Sequence, residues 1–512
     1  MIKPNRFQRG LIRTIGIDKF LQEREQKEGM ASLEMYNYRK QDEYKVWNEG
    51  STEELEFFYK TLIDNKIYHS FPFWRMVNTN MPRAHYPLPS TITNAMRTLL
   101  FSNEPSIKFT SGSKERNKSI ESRWEDIAKV NNFLSLLQEG AEMQSYSGGV
   151  AYKLNLDSTL TDVPLFTIYD KSSYEEHKRL GQTIYIDFMD AYGDYTLVSR
   201  YGRGYINYKL YKDKTEVPLN SHPDTADLKD LAFISEEDNL LPIVFATVVP
   251  NAGEGKSDFE GLISSFHTLD EAYSSLTNYI RKTKPNTMIT EDLAPKDMRG
   301  NTIPFNEFDN VIVTLDSAPA GTETQVSRDV PKVDITGYKD TFYTTREVIL
   351  SKTGISPSTV GIDSSGANAS GDALNIRERA SANTRSRKLA VWRERLNEFL
   401  YAVMMFDEIG RKAEEVSDGV FKLEEISDFD IKVDFGPYHE KSYKEKVAIF
   451  KDAQEKGLAS VRYVATELYG DKLSDEDLDR LIVEIKVEHN YPLTVKEKEI
   501  FDELYGPSIT KP

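Results

Sequence analysis

The stretch LPIVFATVVPNAGEGKSDFEGLISSF, Leu241 to Phe266, decides how the rest of the chain is read. An apolar run ends in Gly-Glu-Gly-Lys-Ser at 253–257, and residues with helical spacing follow. A buried strand, a glycine-rich turn with Lys-Ser and then a helix is how phosphate-binding loops are built. Such a loop needs Gly-x-x-x-x-Gly-Lys-Ser/Thr, because the first glycine permits the tight turn that aims backbone N–H groups at phosphate, while the lysine supplies charge. Gly255, Lys256 and Ser257 fit, but the first glycine position holds Pro250, which fixes its own φ and has no N–H. VIVTLD at 311–316 imitates the strand whose closing Asp holds magnesium in nucleotide-hydrolysing proteins. Those proteins alternate strand and helix around a parallel sheet, whereas here an antiparallel pattern precedes the loop and a heptad-seamed helix follows it. The expected reading is therefore a turn capped into a helix, with Asp258 near its positive end. A P-loop ATPase subunit built on 253–257 is the alternative.

The helix after this turn carries the clearest period in the sequence. Phe259, Leu262, Phe266, Leu269, Tyr273, Leu276 and Ile280 follow 3-4-3-4-3-4 spacing, a single apolar seam. A helix from Asp258 to Lys284 is about 40 Å long at ~1.5 Å per residue and stops before Pro285. Its seam suits burial in its own domain or packing beside a like helix. Residues 285–333 hold strand-like TMITE and VIVTLD among Gly/Pro-rich loops, and a second helix is expected over Gly337–Lys352. A Gly/Ser-rich loop then leads to a long helix from Asp372. FDIKVDF alternates Phe429, Ile431, Val433 and Phe435 with charged residues, as a half-buried strand does, and helices return after Tyr438, one of them opened by Thr494 with Glu497.

Upstream, Ser51 and Glu54 make a capping box for a helix to about Lys66, and helices are expected near Ser90–Phe101 and Glu115–Glu142. After Gly148-Gly149 the pattern turns to short alternating segments such as QTIYIDFMD, an antiparallel meander over 150–250. The basic, amphipathic first twenty residues read as a lead-in segment, with a surface-binding arm as the other reading.

Composition narrows the function. A 512-residue chain with 39% hydrophobic residues is long enough for several lobes. Its net charge of −17 argues against a general polyanion-binding surface. With no cysteine there is no thiolate chemistry, and the seven scattered histidines form no zinc-like cluster. No apolar run approaches the ~20 residues that span a bilayer, and no Ser/His/Asp constellation or Gly-x-Ser-x-Gly elbow is present. No catalytic, cofactor or metal residue is therefore assigned.

The order of parts resembles the portal proteins of tailed bacteriophages, particularly those of phages of Gram-positive bacteria. The resemblance is carried by LPIVFATVVPNAGEGKSDFEGLISSFHTLDEAYSSL and SKTGISPSTVGIDSSGANASGDALNIRERASANTRSRKLAVWRERLNEFLYAV. It implies an α+β, multi-lobed fold: a wing over 1–257, helical to 145 and antiparallel β over 146–257; a first stem helix over 258–284; a small α/β clip over 285–333; and a second stem helix over 334–353. A tunnel loop over 354–371, a long helix and wing strand over 372–437 and a helical crown over 438–512 complete it. Ile355, Ser356, Val360, Ile362, Asp363, Ser364, Ser365 and Asn368 are then the DNA-facing loop residues. Arg377, Arg379, Arg385, Arg387 and Lys388 become contacts to DNA or to a neighbouring subunit, the latter favoured by the acidic balance of the chain, and the seam from Phe259 to Ile280 becomes the stem packing. The resemblance further implies a dodecameric ring at one capsid vertex, assembled in the host cytoplasm. Its partners would be double-stranded DNA, the terminase large subunit, a head–tail adaptor and the capsid and scaffolding proteins, with no membrane. Another structural or adaptor protein of the virion is the remaining alternative.

Overall fold

The computed structural model describes residues 33–64, 73–75, 82–157, 159–213, 215–251, 255–282, 286–290, 298–299, 312–315, 327–329, 335–362, 378–423, 429–438, 450–451, 453, 460–469, 475–489 and 491–505. The chain divides into two units, Met1–Gly436 and Pro437–Pro512, and its class is α+β.

The first unit opens with α1 (Leu33–Glu49) and α2 (Thr52–Asp64). Ser51 Oγ accepts the Glu54 N–H at 3.0 Å, which is the expected cap. Next come α3 (Leu88–Phe101) and the short strand β1 (Ser106–Thr110). The helical stretch expected over Glu115–Glu142 is two helices, α4 (Lys114–Val130) and α5 (Phe133–Ser147). Asn132 between them sits at φ 47°, a left-handed conformation that ends a right-handed helix.

The region 150–250 is antiparallel as expected, but it splits into two sheets. β2 (Gly149–Asn155) is flanked by β3 (Leu165–Asp170) and β10 (Ala246–Pro250) in a three-stranded sheet. β4 (Tyr174–Arg179), β5 (Gln182–Tyr192), β6 (Tyr195–Gly202) and β7 (Tyr205–Lys212) form consecutive hairpins, with β8 (Thr215–Val217) and β9 (Leu231–Ile234) on β7. β14 (Glu414–Ser417) and β15 (Val420–Lys422) extend this sheet from far along the chain, β15 pairing parallel to β9. The eight strands run β14-β15-β9-β7-β6-β5-β4 with β8 off the path.

α6 (Ile263–Lys282) leads to β11 (Asn286–Thr290), β12 (Ile312–Leu315) and β13 (Ser327–Asp329), and α7 (Thr336–Thr353) returns beside α6. β11 is central in this small sheet, parallel to β12 and antiparallel to β13. The long α8 (Arg379–Lys412) lies against β2 and β10, where Trp392 and Phe399 meet Tyr152 with ring centroids 6.2 and 5.1 Å apart. Its apolar face of Trp392, Leu396, Phe399, Leu400 and Val403 is fully buried, an apolar stripe on one side of a helix. β16 (Asp430–Asp434) pairs with β1, and its burial alternates as expected, with Val433 inside and Asp430, Lys432 and Asp434 outside.

In the second unit α9 (Val461–Tyr469), α10 (Asp475–Glu488) and α11 (Val495–Tyr505) pack around Ala465, Leu478 and Ile482. The Glu497 carboxylate accepts the Thr494 N–H at 2.7 Å, closing the expected cap of α11.

Candidate DNA channel segments and the junction behind them

Among the described residues, both ends of the turn after β10 pack on the chain itself. Pro250 is still in the strand, opposite Gly149, and Asn251 N–H donates to the Gly148 carbonyl. Gly148 itself is left-handed at φ 91°, and a Cβ there would stand 2.6 Å from the Gly255 carbonyl oxygen, so backbone packs on backbone. Lys171 Nζ donates to that same carbonyl, and Ser257 Oγ accepts the Phe259 N–H at 2.9 Å. Groups that would face phosphate in a nucleotide loop thus serve a turn. β10 and β12, the two strands that mimic a nucleotide site, stand in different sheets.

Asp258 is the centre of the junction. Its carboxylate accepts from Ser145 Oγ at 2.7 Å, Asn251 Nδ2 at 3.0 Å and Lys388 Nζ at 2.6 Å. Lys388 also donates to Asn251 Oδ1 at 2.8 Å, and its side chain is wholly buried. The end of α5, the turn before α6 and the long helix meet at one ion pair, a charge-assisted arrangement with a high cost of disruption.

This places the basic residues of α8. Lys388 and Arg385, expected to touch DNA or a neighbour, are instead buried inside the subunit. Arg385 donates to the carbonyls of Leu99, Phe435 and Gly436 at 2.9, 2.9 and 3.3 Å, tying α3 and the end of β16 to the helix. The physical reason is position: both lie on the inward side of α8, beside the buried Leu389 and Trp392. Arg379 and Arg387 are exposed, and Arg377 lies outside the described residues.

The expected tunnel loop begins as an anchor. Gly354, at φ 69°, closes α7, and its carbonyl accepts from Thr384 Oγ1 at 2.9 Å. Ser356 N–H donates to Ser381 Oγ at 2.8 Å, and both Ile355 and Ser356 are 2% exposed. Those two are corrected from DNA-facing to buried: the loop's first residues pack against the head of α8. Val360 ends a short 3-10 turn (Pro357–Val360), half-buried like Ile362. Asp363, Ser364, Ser365 and Asn368 lie outside the described residues.

The helix expected to form the stem starts later than the sequence suggests. Asp258–Leu262 are turns because Gly261 is left-handed at φ 70°, and α6 proper begins at Ile263. Along the seam Phe259, Leu262, Phe266 and Leu269 are buried, Tyr273 and Leu276 half-buried, and Ile280 is 54% exposed. The buried half is covered by the chain itself, Tyr44 and Trp47 of α1 meeting Phe259 and Phe266 at 6.2 and 5.4 Å. The open half faces α7, where Tyr273 meets Phe342 at 6.0 Å and Tyr279 meets Tyr338 at 5.8 Å.

Sequence reasoning missed the polar groups on the other side of α6. Asp270 accepts from Trp74 Nε1 at 2.9 Å and the Tyr86 N–H at 2.9 Å, and its Oδ2 lies 2.7 Å from His85 Nδ1. Burial raises its pKa, opposed by His85. His267, between the rings of Trp47 and Tyr59, is pushed down to about 3 by burial and stays neutral. In α1 Asp42 is raised to about 8, by burial first and by Asp170 second. Only the apolar seam of α6 was visible in the sequence; these partners come from segments some 190 residues away. Among the described residues no group of three or more acidic or histidine side chains is placed to hold a metal, and no helix is long and apolar enough to cross a membrane.

Against known families, the one described as Phage portal protein, SPP1 Gp6-like, matches residues 61–489. No curated protein matches the chain.

Proposed function

The chain belongs to the SPP1 Gp6-like phage portal proteins, and from that premise we propose that it forms the ring-shaped channel at one capsid vertex. Double-stranded DNA is packaged through this channel and later leaves by it. The family is structural rather than enzymatic and belongs to the virion capsid. In this reading the subunit docks the terminase motor during packaging and a head–tail adaptor afterwards, and copies of the chain close a ring, with twelve subunits as the expected number.

The observation that carries the reading is the antiparallel pair α6 and α7 bracketing the small β11–β13 sheet, with an apolar seam that is buried at one end and open at Ile280. A stem of paired helices with a compact insertion at its tip is what a conduit wall requires. A net charge of −17 supports it as well, because each phosphate neutralised along a channel adds a counterion-release term that would hold the DNA in place.

Electron microscopy of the purified protein is the direct test. Rings with a central hole are expected. A monodisperse monomer at high concentration, or ATP hydrolysis lost on Lys256→Ala, overturns the proposal.

A further inference from the structure

The three-stranded sheet treats its two edges differently. At the β3 edge Asn131 acts as a cap: its Oδ1 accepts the Phe166 N–H at 2.8 Å and its Nδ2 donates to the Pro164 carbonyl at 2.9 Å. β10 ends the other side. Its bonds from Asn251 N–H to Gly148 and from Leu154 N–H to Phe245 fix which rungs of the β10–β2 ladder are bonded. Thr247 with Tyr152 and Val249 with Val150 are therefore bonded pairs, and the N–H and C=O groups of Ala246 and Val248 point away from β2. Among the described residues no other strand pairs with them. Both residues are about 95% buried, at 4% and 5% exposure, and buried backbone groups in folded proteins are paired.

Ala246, Thr247 and Val248 line a groove of about 410 Å³ between α8 and the β4–β5 turn. We propose that this groove receives strand β14 of a second copy of the chain, which pairs with the outward backbone of β10. The inference rests on the ring reading above and names one contact within it.

Three observations select β14. Among the described residues it pairs only with β15, and all four of its residues are exposed, Val416 by 54%. A bare strand edge carrying an apolar side chain invites pairing. The groove supplies a matching apolar wall in Ile243 and Val244 for Val416, and its exposed Arg203, set on the β6–β7 turn apart from Glu394 and the paired Arg395 and Glu398 of α8, is the cation available to Glu414. Finally, β14 and β4 are the opposite ends of one eight-stranded sheet, and the β4–β5 turn forms the groove wall. Donor and acceptor at opposite ends of one body make a head-to-tail contact, the kind that closes rings.

Two measurements test this on the full chain. In hydrogen exchange, the Ala246 and Val248 amides should slow roughly tenfold or more on assembly, while those of Thr247 and Val249 are already protected in the subunit. Because the chain has no native cysteine, the paired variant Thr247→Cys with Val416→Cys, oxidised after assembly, should give a ladder of covalent oligomers. Each single variant, and Thr247→Cys with Glu175→Cys, should stay monomeric under denaturing conditions. Rings whose Ala246 and Val248 amides exchange as fast as in the free subunit overturn the inference and leave the portal reading intact. Protected amides without a Val416 cross-link overturn the assignment of β14. A chain that never assembles overturns both.

Discussion

Lys388 shows how a single residue can be misread from charge alone. It stands in a run of arginines that suggests an outward basic face, yet it reaches inward to Asp258 and Asn251 with no exposed surface. Removing it leaves Asp258 buried without its cation, so Lys388→Met is expected to lose about 3–5 kcal/mol of stability in urea denaturation. Adding Asp258→Asn should restore part of that loss, because the stranded charge is gone. A loss within 1 kcal/mol of zero, about the worth of a surface pair, would mean that the bridge is solvated. Asp42 makes the opposite kind of prediction. Its carboxyl is raised to about 8 from the usual 3.8, so the folded chain keeps a proton that the unfolded chain gives up. Its contribution to stability is full below pH 4, falls as pH rises toward 8 by at most about 1.4 kcal/mol per unit, and is flat above. Asp42→Asn should therefore stabilise the subunit more at pH 7 than at pH 5. Comparing variant with parent cancels the contribution of His267, which runs the other way: lowered to about 3, it costs stability as pH falls below its usual 6.5. Equal gains at both pH values would mean that Asp42 is ionised in the fold.

At the level of elements, α6 carries two kinds of packing on one seam. Leu269 is buried under the subunit's own residues, so Leu269→Ala should cost about 2–5 kcal/mol in the isolated chain. Ile280, 54% exposed, should tolerate Asp with less than about 1 kcal/mol change in subunit unfolding and yet weaken assembly, seen as loss of rings by size exclusion. Destabilisation of the isolated chain by Ile280→Asp comparable to that of Leu269→Ala would place both under the same cover. The period of this seam was plain in the sequence, as were α7, β16 and the caps at Ser51 and Thr494, because each is a local signal of spacing or capping. What covers the seam was not legible: Trp47 and Tyr44 approach from a helix some 215 residues earlier, and no local pattern reports such a partner. The split of the 150–250 strands into two sheets was hidden for the same reason, since β14 and β15 join from beyond residue 410. Ile355 and Ser356 were misplaced because glycine and serine content marks a loop but not which of its residues are pinned by Ser381 and Thr384.

For the whole molecule the decisive quantity is charge. The chain carries −17 overall, and of the α8 basic residues Arg385 and Lys388 are spent inside the subunit, Arg395, Arg411 and Lys412 pair with Glu398, Asp407 and Glu408 of the same helix, and Arg379, Arg387 and Arg393 stay exposed. A conduit whose subunits each carry a net charge of −17 should hold DNA weakly and with little salt dependence. Fluorescence anisotropy of linear duplex with assembled protein should give an affinity weaker than about 1 μM at physiological salt. The slope of log K against log salt should be shallower than about −3, corresponding to three or so phosphates neutralised per bound segment. Replacing Arg379 and Arg387 together by Glu should reduce that slope toward zero without changing subunit stability, since neither side chain is buried. A slope near −10 in the parent protein would require many cations along the path, and the acidic subunit would then be a DNA grip rather than a channel wall.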